Sequence, residues 1–169
     1  YGSVDNGSSW TDITSKVTGT AISWDGVALS GSSSIVFKIT DAAGNDSSTT
    51  GSQAYVLDTT APTAVWSAAT DDAGSVMGSL TSGDSTDDTA LVLSGANESG
   101  SSVTVYNGTT SLGAATVSGS GWSYTATVAN GTTYQFNVKE TDAAGNTSAA
   151  TSNFVVTGDT TAPTVSSFM

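Results

Sequence analysis

The hexapeptide Thr-Asp-Ala-Ala-Gly-Asn occupies residues 40–45 and returns unchanged at residues 141–146. A second hexapeptide, Asp-Thr-Thr-Ala-Pro-Thr, occupies residues 58–63 and returns at residues 159–164, again with an offset of 101 residues. Two separate hexapeptides that share one offset indicate a true internal repeat, because chance similarity would not preserve the spacing between them. The chain is therefore built on a period of about a hundred residues, the size of one β-sandwich domain.

The repeat predicts three segments along the chain. Residues 62–162 form one complete module, residues 1–61 form a domain shorter than one period by about forty residues, and residues 163–169 begin the next linker or domain. The short domain aligns with the later part of the complete module, so we expect it to lack the first two strands. Pro62 and Pro163 lie in the repeated linkers, where each Pro fixes its own backbone and extends the residue before it. The links should therefore be short and stiff.

Short runs of alternating apolar residues predict strands. Period-two alternation over four to eight residues is typical of half-buried strands. It occurs at Ile35, Phe37 and Ile39; Leu91 and Leu93; Val103 and Val105; Trp122, Tyr124 and Ala126; and Tyr134, Phe136 and Val138. Asn-Gly and Asp-Gly pairs between the runs fit tight hairpins, and no segment keeps a helical period. The fold class is therefore all-β, with tandem immunoglobulin-like β-sandwich domains joined by short Pro-containing linkers.

The tryptophans are expected to serve the domain cores. Trp24 and Trp122 precede the two copies of the Asp-Ala-Ala-Gly-Asn loop, where a large aromatic residue can bridge two sheets. Trp66 follows the linker and belongs either to the core or to a pad between domains, with the core preferred. Trp10 follows a turn, and the sequence leaves its role open.

The charge is one-sided, because the chain has 15 acidic residues, nearly all Asp, against three Lys, for a formal net charge of −12. Nucleic acids and anionic membranes are bound through Lys and Arg, so neither is expected as a partner. No apolar run of about 18 residues could span a membrane. The chain has no Cys and no His, which excludes disulfides, zinc centres and His-based triads. Glu98 and Glu140 stand apart from the Asp clusters, so paired carboxylates for glycoside hydrolysis are not evident, and we do not expect an enzyme.

Acidic and amide residues gather in a few loops, and this pattern favours a divalent cation. Neighbouring carboxylates repel one another unless a cation neutralises them, and Ca²⁺ accepts six to eight oxygen ligands with flexible geometry. The alternative is that they are solvated turn residues that keep the protein soluble. The candidate calcium ligands are Asp41, Asn45, Asp58, Asp71, Asp72, Asp87, Asp88, Asp142, Asn146 and Asp159.

The complete module resembles the bacterial Ig-like tandem repeats of giant type I-secreted adhesins of the RTX and biofilm-associated classes. The resemblance rests on the order and spacing of short motifs across most of residues 63–164. These motifs are Thr-Asp-Asp-Ala-Gly at 70–74, Thr-Asp-Asp-Thr at 86–89, Leu-Ser-Gly at 93–95, Val-Thr-Val-Tyr at 103–106, Gly-Trp-Ser-Tyr at 121–124 and the two repeated hexapeptides. Residues 1–61 are similar to the same class through residues 4–11, 41–45 and 58–62.

The resemblance implies a structural extender, a stalk segment that holds an adhesive tip away from the cell, with Ca²⁺ at or near the interdomain junctions stiffening the rod. It implies an extracellular location on the bacterial surface, type I secretion, neighbouring Ig-like repeats as partners, and a monomeric chain. Asp41, Asn45 and Asp58 would serve the first junction, and Asp142, Asn146 and Asp159 would form half of the next. Asp71, Asp72, Asp87 and Asp88 would either complete the first site or form a second site nearby.

Two other functions stay open at this point. A module that binds carbohydrate or a host protein would need exposed aromatic residues on one face, such as Trp10 or Trp66 beside a groove. An accessory domain of a secreted polysaccharide-degrading enzyme would require a catalytic domain elsewhere in the parent gene.

Overall fold

The computed structural model describes residues 1–166, and the chain divides into two compact units, Tyr1–Thr59 (unit 1) and Thr60–Met169 (unit 2). Of the segment predicted to begin the next linker or domain, residues 163–166 contain no strand, and residues 167–169 lie outside the described residues. Regular structure in residues 1–166 is β, apart from one 3₁₀ turn at Thr14–Lys16. The all-β prediction is therefore confirmed.

Unit 1 is a small sheet with a separate hairpin. Its strands are β1 (Gly2–Ser3), β2 (Val17–Thr18), β3 (Ala21–Ile22), β4 (Ser33–Phe37) and β5 (Gln53–Tyr55). The sheet has the order β1-β4-β5, and β2 pairs with β3 as a two-stranded hairpin. Within residues 1–59, the only buried hydrophobic residues are Ile13 and Val36, so this unit has little core of its own.

Unit 2 is a sandwich of two five-stranded sheets. Its strands are β6 (Val65–Asp71), β7 (Gly78–Ser79), β8 (Ser85–Thr86), β9 (Ala90–Ala96), β10 (Ser102–Asn107), β11 (Thr110–Ala114), β12 (Thr116–Ser118), β13 (Gly121–Thr127), β14 (Thr133–Thr141) and β15 (Phe154–Gly158). One sheet has the order β11-β10-β14-β15-β8, and the other has the order β12-β13-β9-β6-β7. The strand β15 pairs with β8 in parallel. This two-sheet architecture is the predicted immunoglobulin-like sandwich.

The alternating apolar residues of unit 2 meet between its two sheets. Leu91 and Leu93 of β9 are fully buried, and so are Phe136 and Val138 of β14 on the other sheet. They belong to one hydrophobic cluster. Because side chains alternate between the two faces of a strand, the period-two pattern places each of these residues on the inner face. The core therefore depends on strands from both sheets.

Trp66 packs against this core. Its ring stacks on Phe154 with the ring centroids 5.2 Å apart, and it meets the edge of Trp122 at 5.8 Å. The preferred assignment of Trp66 to the core is confirmed. In unit 1, Trp24 meets Phe37 edge-on with 6.3 Å between the ring centroids.

Gly95 of β9 lies between Val65 of β6 and the Trp122 ring of β13. Trp122 lies opposite Gly95 in the β13–β9 pair, and its indole N–H donates to the carbonyl oxygen of Val65 at 3.0 Å. A Cβ atom at Gly95 would collide with that carbonyl oxygen and with the Trp122 indole. Glycine at this position therefore lets the Trp122 ring lie across the sheet.

Unit 1 repeats the second half of unit 2 in its hydrogen bonds. The amide of Thr50 donates to the carbonyl of Phe37 at 2.9 Å, and the amide of Thr151 donates to that of Val138 at 3.0 Å. The bonds within residues 41–45 recur within residues 142–146. Strands β1, β4 and β5 therefore correspond to β10, β14 and β15.

One predicted strand of unit 1 is shorter than the apolar pattern suggests. The alternation extends to Ile39, but β4 ends at Phe37, and Ile39 is 76 % exposed. The corresponding position in unit 2 is Glu140, which is fully buried. In unit 2 the turn after β9 lies against this position, because the Glu98 amide donates to Glu140, and that turn has no counterpart within residues 1–59.

We expect Gly95→Ala to lower the free energy of unfolding of unit 2 by about 1–3 kcal/mol, because the added methyl group has no space beside the Val65 carbonyl and the Trp122 ring. Urea unfolding followed by tryptophan fluorescence measures the effect. The matched control is Gly121→Ala on the paired strand, where a Cβ atom would make only ordinary contacts at 3.7 Å and beyond. Equal stability of the two variants would contradict this account of Gly95.

Candidate metal centre

Asp71 ends β6 as a buried carboxylate. Its side chain is only 4 % exposed. One carboxylate oxygen accepts a hydrogen bond from the Thr86 hydroxyl at 2.6 Å, and the other accepts one from the amide of Ala73 at 3.0 Å. A buried carboxylate without partners is costly, so these bonds hold the side chain in one orientation.

Thr86 links Asp71 to a second buried carboxylate, Asp88. The Thr86 hydroxyl donates to Asp71 and accepts from the amide of Asp88 at 3.1 Å. The Asp88 carboxylate accepts the amide of Ala90 at 2.7 Å and that of Asp72 at 3.4 Å. The turn at residues 71–74 and the turn at residues 86–88 are thus joined, and we call them the acidic turn pair.

Two exposed carboxylates complete the acidic turn pair. Asp72 and Asp87 are both exposed, and the Asp87 carboxylate lies so close to Gly74 that a Cβ atom there would collide with it. The linker residue Asp159 also lies at this end of unit 2, because its amide donates to the carbonyl of Thr86 at 2.8 Å. Five of the candidate ligands are therefore found at one end of the sandwich.

The repeated Asp-Ala-Ala-Gly-Asn loop is closed by its own Asp and Asn. The amide of Asn146 donates to Asp142 at 2.8 Å, and the Asn146 side-chain amide donates to the other carboxylate oxygen at 2.9 Å. Hydrogen bonds from Asn146 hold the pKa of Asp142 below its usual value, and those from Asn45 do the same for the pKa of Asp41. Each loop therefore keeps an ionised carboxylate and has a structural reason for its sequence.

The two acidic regions of unit 2 lie at opposite ends of its strands. Asp142 follows the end of β14, whereas Asp159 follows the end of β15, whose last residues pair with the beginning of β14. At about 3.3 Å per residue, the length of β14 separates Asp142 from Asp159 by roughly 25–30 Å. Asp142 and Asn146 therefore do not share one site with Asp159. The prediction that these three residues together form half of one junction is wrong.

The same correction applies to unit 1. Asp41 lies beyond the end of β4, whereas Asp58 lies beyond Tyr55, which pairs with Ser33 at the start of β4. Strand polarity therefore keeps Asp58 away from Asp41 and Asn45. The assignment of each of the ten candidate residues to a cation stays a prediction.

The acidic turn pair offers the oxygen ligands that calcium prefers, but its carboxylates are not arranged as a complete coordination site. It offers four carboxylates and no nitrogen or sulfur ligand, which suits a hard cation. Among residues 1–166, however, no group of three or more carboxylates is close enough to hold a metal ion as the side chains stand. Because Asp72 and Asp87 are exposed, their side chains are the ones that can turn toward an ion.

The model of one protein family, described as the bacterial Ig-like domain, matches residues 60–160. The chain belongs to this family. The match spans unit 2 from the linker to Asp159 and agrees with its two-sheet sandwich. No curated protein matches the chain.

Membership of the bacterial Ig-like family indicates the class of protein in which such a domain occurs. The family is one of non-catalytic domains, and its members typically occur in extracellular or surface proteins. The described residues contain no helix that is long and apolar enough to cross a bilayer.

The Ig-like domain also holds a buried carboxylate that sequence reasoning missed. Glu140 is fully buried, and one of its oxygens accepts the amide of Glu98 at 2.6 Å. Its other oxygen has no hydrogen-bond partner among the described residues. The signal was present, because Glu140 continues the inward alternation of Phe136 and Val138. Its contact explains how the turn after β9 is held against β14.

We expect Thr86→Val to destabilise the Ig-like domain by about 1–3 kcal/mol, because it leaves the buried Asp71 carboxylate without its hydroxyl donor. Chemical unfolding in calcium-free buffer measures the loss. Thr89→Val, at an exposed position three residues further along the chain, should change the free energy of unfolding by less than about 0.5 kcal/mol. A Thr86→Val protein as stable as this control would show that the link between the two turns contributes nothing.

Proposed function

We propose that this chain is a segment of the stalk of a large bacterial cell-surface adhesin, exported by type I secretion, in which Ca²⁺ bound at the ends of tandem Ig-like modules stiffens the rod. The observation that carries the proposal is the polarity of unit 2, with the acidic turn pair at one end and the Asp142 loop at the other. A repeated module with carboxylates at both ends presents them wherever repeats are joined. This arrangement supports an extender.

The charge balance of unit 2 supports a cation as the joining element. Residues 60–169 contain seven Asp and two Glu but a single basic residue, Lys139, which lies over the ring of Tyr106 with its Nζ 5.5 Å from the ring centroid. Side chains of unit 2 therefore cannot neutralise its own ends. Divalent ions from the medium would do so, and they would lower the repulsion between consecutive acidic ends.

The residues that would hold the ion have different tasks. Asp71 and Asp88 are buried and oriented by hydrogen bonds, so they would form the fixed side of the site. Asp72 and Asp87 are exposed and would close on the ion from the solvent side. Extracellular calcium modules bind with Kd of about 10⁻⁴–10⁻³ M, so such a site would fill outside the cell and be largely empty in the cytosol.

The ligand-binding alternative receives less support from the aromatic residues. Trp66 is half-buried: it packs against the core of unit 2 and stacks on Phe154, and the two rings line a groove of about 440 Å³ rather than a fully exposed platform. Trp10 is half-buried, and the Lys38 ammonium lies 4.8 Å from its ring centroid. Both observations favour the extender over the adhesive module.

We expect millimolar Ca²⁺, added after EDTA treatment, to raise the melting temperature of the protein. If the ion binds only the folded state, Ca²⁺ at ten times its Kd stabilises that state by about 1.4 kcal/mol. Differential scanning calorimetry measures the shift. The double variant Asp72→Asn/Asp87→Asn should lose most of it.

The control for charge is Asp12→Asn/Asp25→Asn, which removes the same number of exposed carboxylates from unit 1. It should keep the full response to Ca²⁺. A melting curve that does not respond to Ca²⁺, or a response that both double variants retain, would count against the calcium site.

Stiffening is a separate expectation. Small-angle X-ray scattering of two copies of unit 2 joined through residues 159–164 should give a narrower distribution of interatomic distances in Ca²⁺ than in EDTA, because the acidic turn pair of the first copy and the Asp142 loop of the second would then meet at one linker. Mg²⁺ at the same ionic strength controls for screening. Identical distributions in all three buffers would overturn the stalk mechanism while leaving the fold assignment intact.

A further inference from the structure

Four buried side-chain nitrogen and oxygen atoms have no hydrogen-bond partner among residues 1–166, and three of them lie in one part of the Ig-like domain. They are the Oδ1 atom of Asn97, the Oγ atom of Ser101 and the Oε2 atom of Glu140. Asn97 and Ser101 are less than a tenth exposed, and Glu140 is fully buried. A buried polar atom without a partner is costly, so three such oxygens in one place indicate that they share a ligand.

The three side chains converge on the turn that follows β9. One carboxylate oxygen of Glu140 accepts the amide of Glu98 at 2.6 Å. The Asn97 side-chain amide donates to the carbonyl of Glu98 at 2.8 Å, and the backbone amide of Ser101 donates to the same carbonyl at 3.1 Å. Each of the three residues is therefore tied to a peptide group of Glu98, which brings their unpartnered oxygens to the same turn.

Strand alternation directs these side chains into the sandwich. Each of the three residues is in step with the buried apolar residues of a neighbouring strand, Asn97 with those of β9, Ser101 with those of β10 and Glu140 with those of β14. Residues two apart share one face of a strand, so the oxygens come from both sheets and lie on the inner side. We call the Asn97, Ser101 and Glu140 oxygens the inner oxygen cluster.

The inner oxygen cluster contains one carboxylate that no side chain of the domain neutralises. Lys139 is the only basic residue in the sequence of unit 2. Alternation places it on the opposite face of β14 from Glu140, where its Nζ lies 5.5 Å from the centroid of the Tyr106 ring. A buried carboxylate without a counter-charge is costly. One monovalent metal ion would balance its charge, whereas a divalent ion would leave an excess positive charge inside the sandwich.

We propose that the inner oxygen cluster is a binding site for a monovalent metal cation, Na⁺. Carboxylate, amide and hydroxyl oxygens suit a hard cation, and Asn97, Ser101 and Glu140 would each supply one ligand. The ion would fasten the turn after β9 to β14 and so join the two sheets at the end of the domain that carries the Asp142 loop. The cluster lies at the opposite end from the acidic turn pair, and the inference is independent of calcium and of the stalk proposal.

The dependence of folding on Na⁺ tests the site. If one ion binds only the folded state, a tenfold rise in Na⁺ above its Kd should raise the folding equilibrium constant by about threefold to tenfold. Urea unfolding in EDTA measures this change. Choline chloride replaces NaCl in the reference buffer, because it keeps the ionic strength constant and its cation is too large for the cluster. A folding constant that is the same in both salts would overturn the inference, and a bridging water would then be the shared ligand.

Variants locate the response. Glu140→Gln removes the charge at nearly constant size, and its amide can donate to Asn97, so the domain should fold but lose the dependence on Na⁺. The matched control, Asp72→Asn/Asp87→Asn, removes exposed carboxylates from the acidic turn pair and should keep it. If Glu140→Gln responds to Na⁺ as the unchanged protein does, or if the control loses the response as well, the inner oxygen cluster is not the site.

A direct measurement covers the case in which Glu140→Gln does not fold. The folded protein should broaden the ²³Na NMR signal, and Ser101→Ala should weaken Na⁺ binding by about threefold or more, because it removes one ligand oxygen. If the Ser101 hydroxyl has no ligand, its removal leaves the broadening unchanged, which would refute the inference. Stabilisation by Ca²⁺ that requires Glu140, with no effect of Na⁺, would show that the assigned ion is wrong.

Discussion

The pairing of β9 with β6 on one side and β13 on the other is the interaction on which this Ig-like domain depends. It brings Leu91 and Leu93 over the residues of β14, and it seats the Trp122 ring over Gly95. Both sheets are needed to bury one core. Within residues 1–59 the same hydrogen-bonded loop forms, and Ile39, which corresponds to the buried Glu140, is exposed.

The directions of the strands also determine where the acidic loops lie. An antiparallel sandwich sends successive loops to opposite ends, so residues that follow β6 and residues that follow β14 cannot meet within one module. The acidic turn pair and the Asp142 loop are therefore separate features of one domain. In the acidic turn pair, one hydroxyl group, that of Thr86, organises two buried carboxylates. A tandem array would bring together the ends of different modules. A cation site that uses both ends would therefore exist only in the array and not in a single module.

Much of the fold was predictable because it rests on local pattern. Alternation identified the inward residues of β9, β10, β13 and β14, and the two repeated hexapeptides identified the period. Asp–Asn pairing inside the repeated loop also follows from short-range geometry, although sequence reasoning had assigned those residues to a cation. The position of Asp159 relative to Asp142 was not predictable, because it depends on which strands pair and in which direction. The burial of Glu140 could have been predicted, since this residue occupies an inward position in the same alternation as Phe136.

The directions of β6 and β15 have a mechanical consequence. Both strands run from the end of unit 2 where the chain enters to the end where it leaves, and they belong to different sheets. Tension applied between the two linkers would act along the strand axes, so the hydrogen bonds that hold β6 to β9 and β15 to β14 would be sheared together. A hairpin pulled at one end would instead unzip bond by bond. The sandwich therefore resists stretching along the line that joins its two linkers.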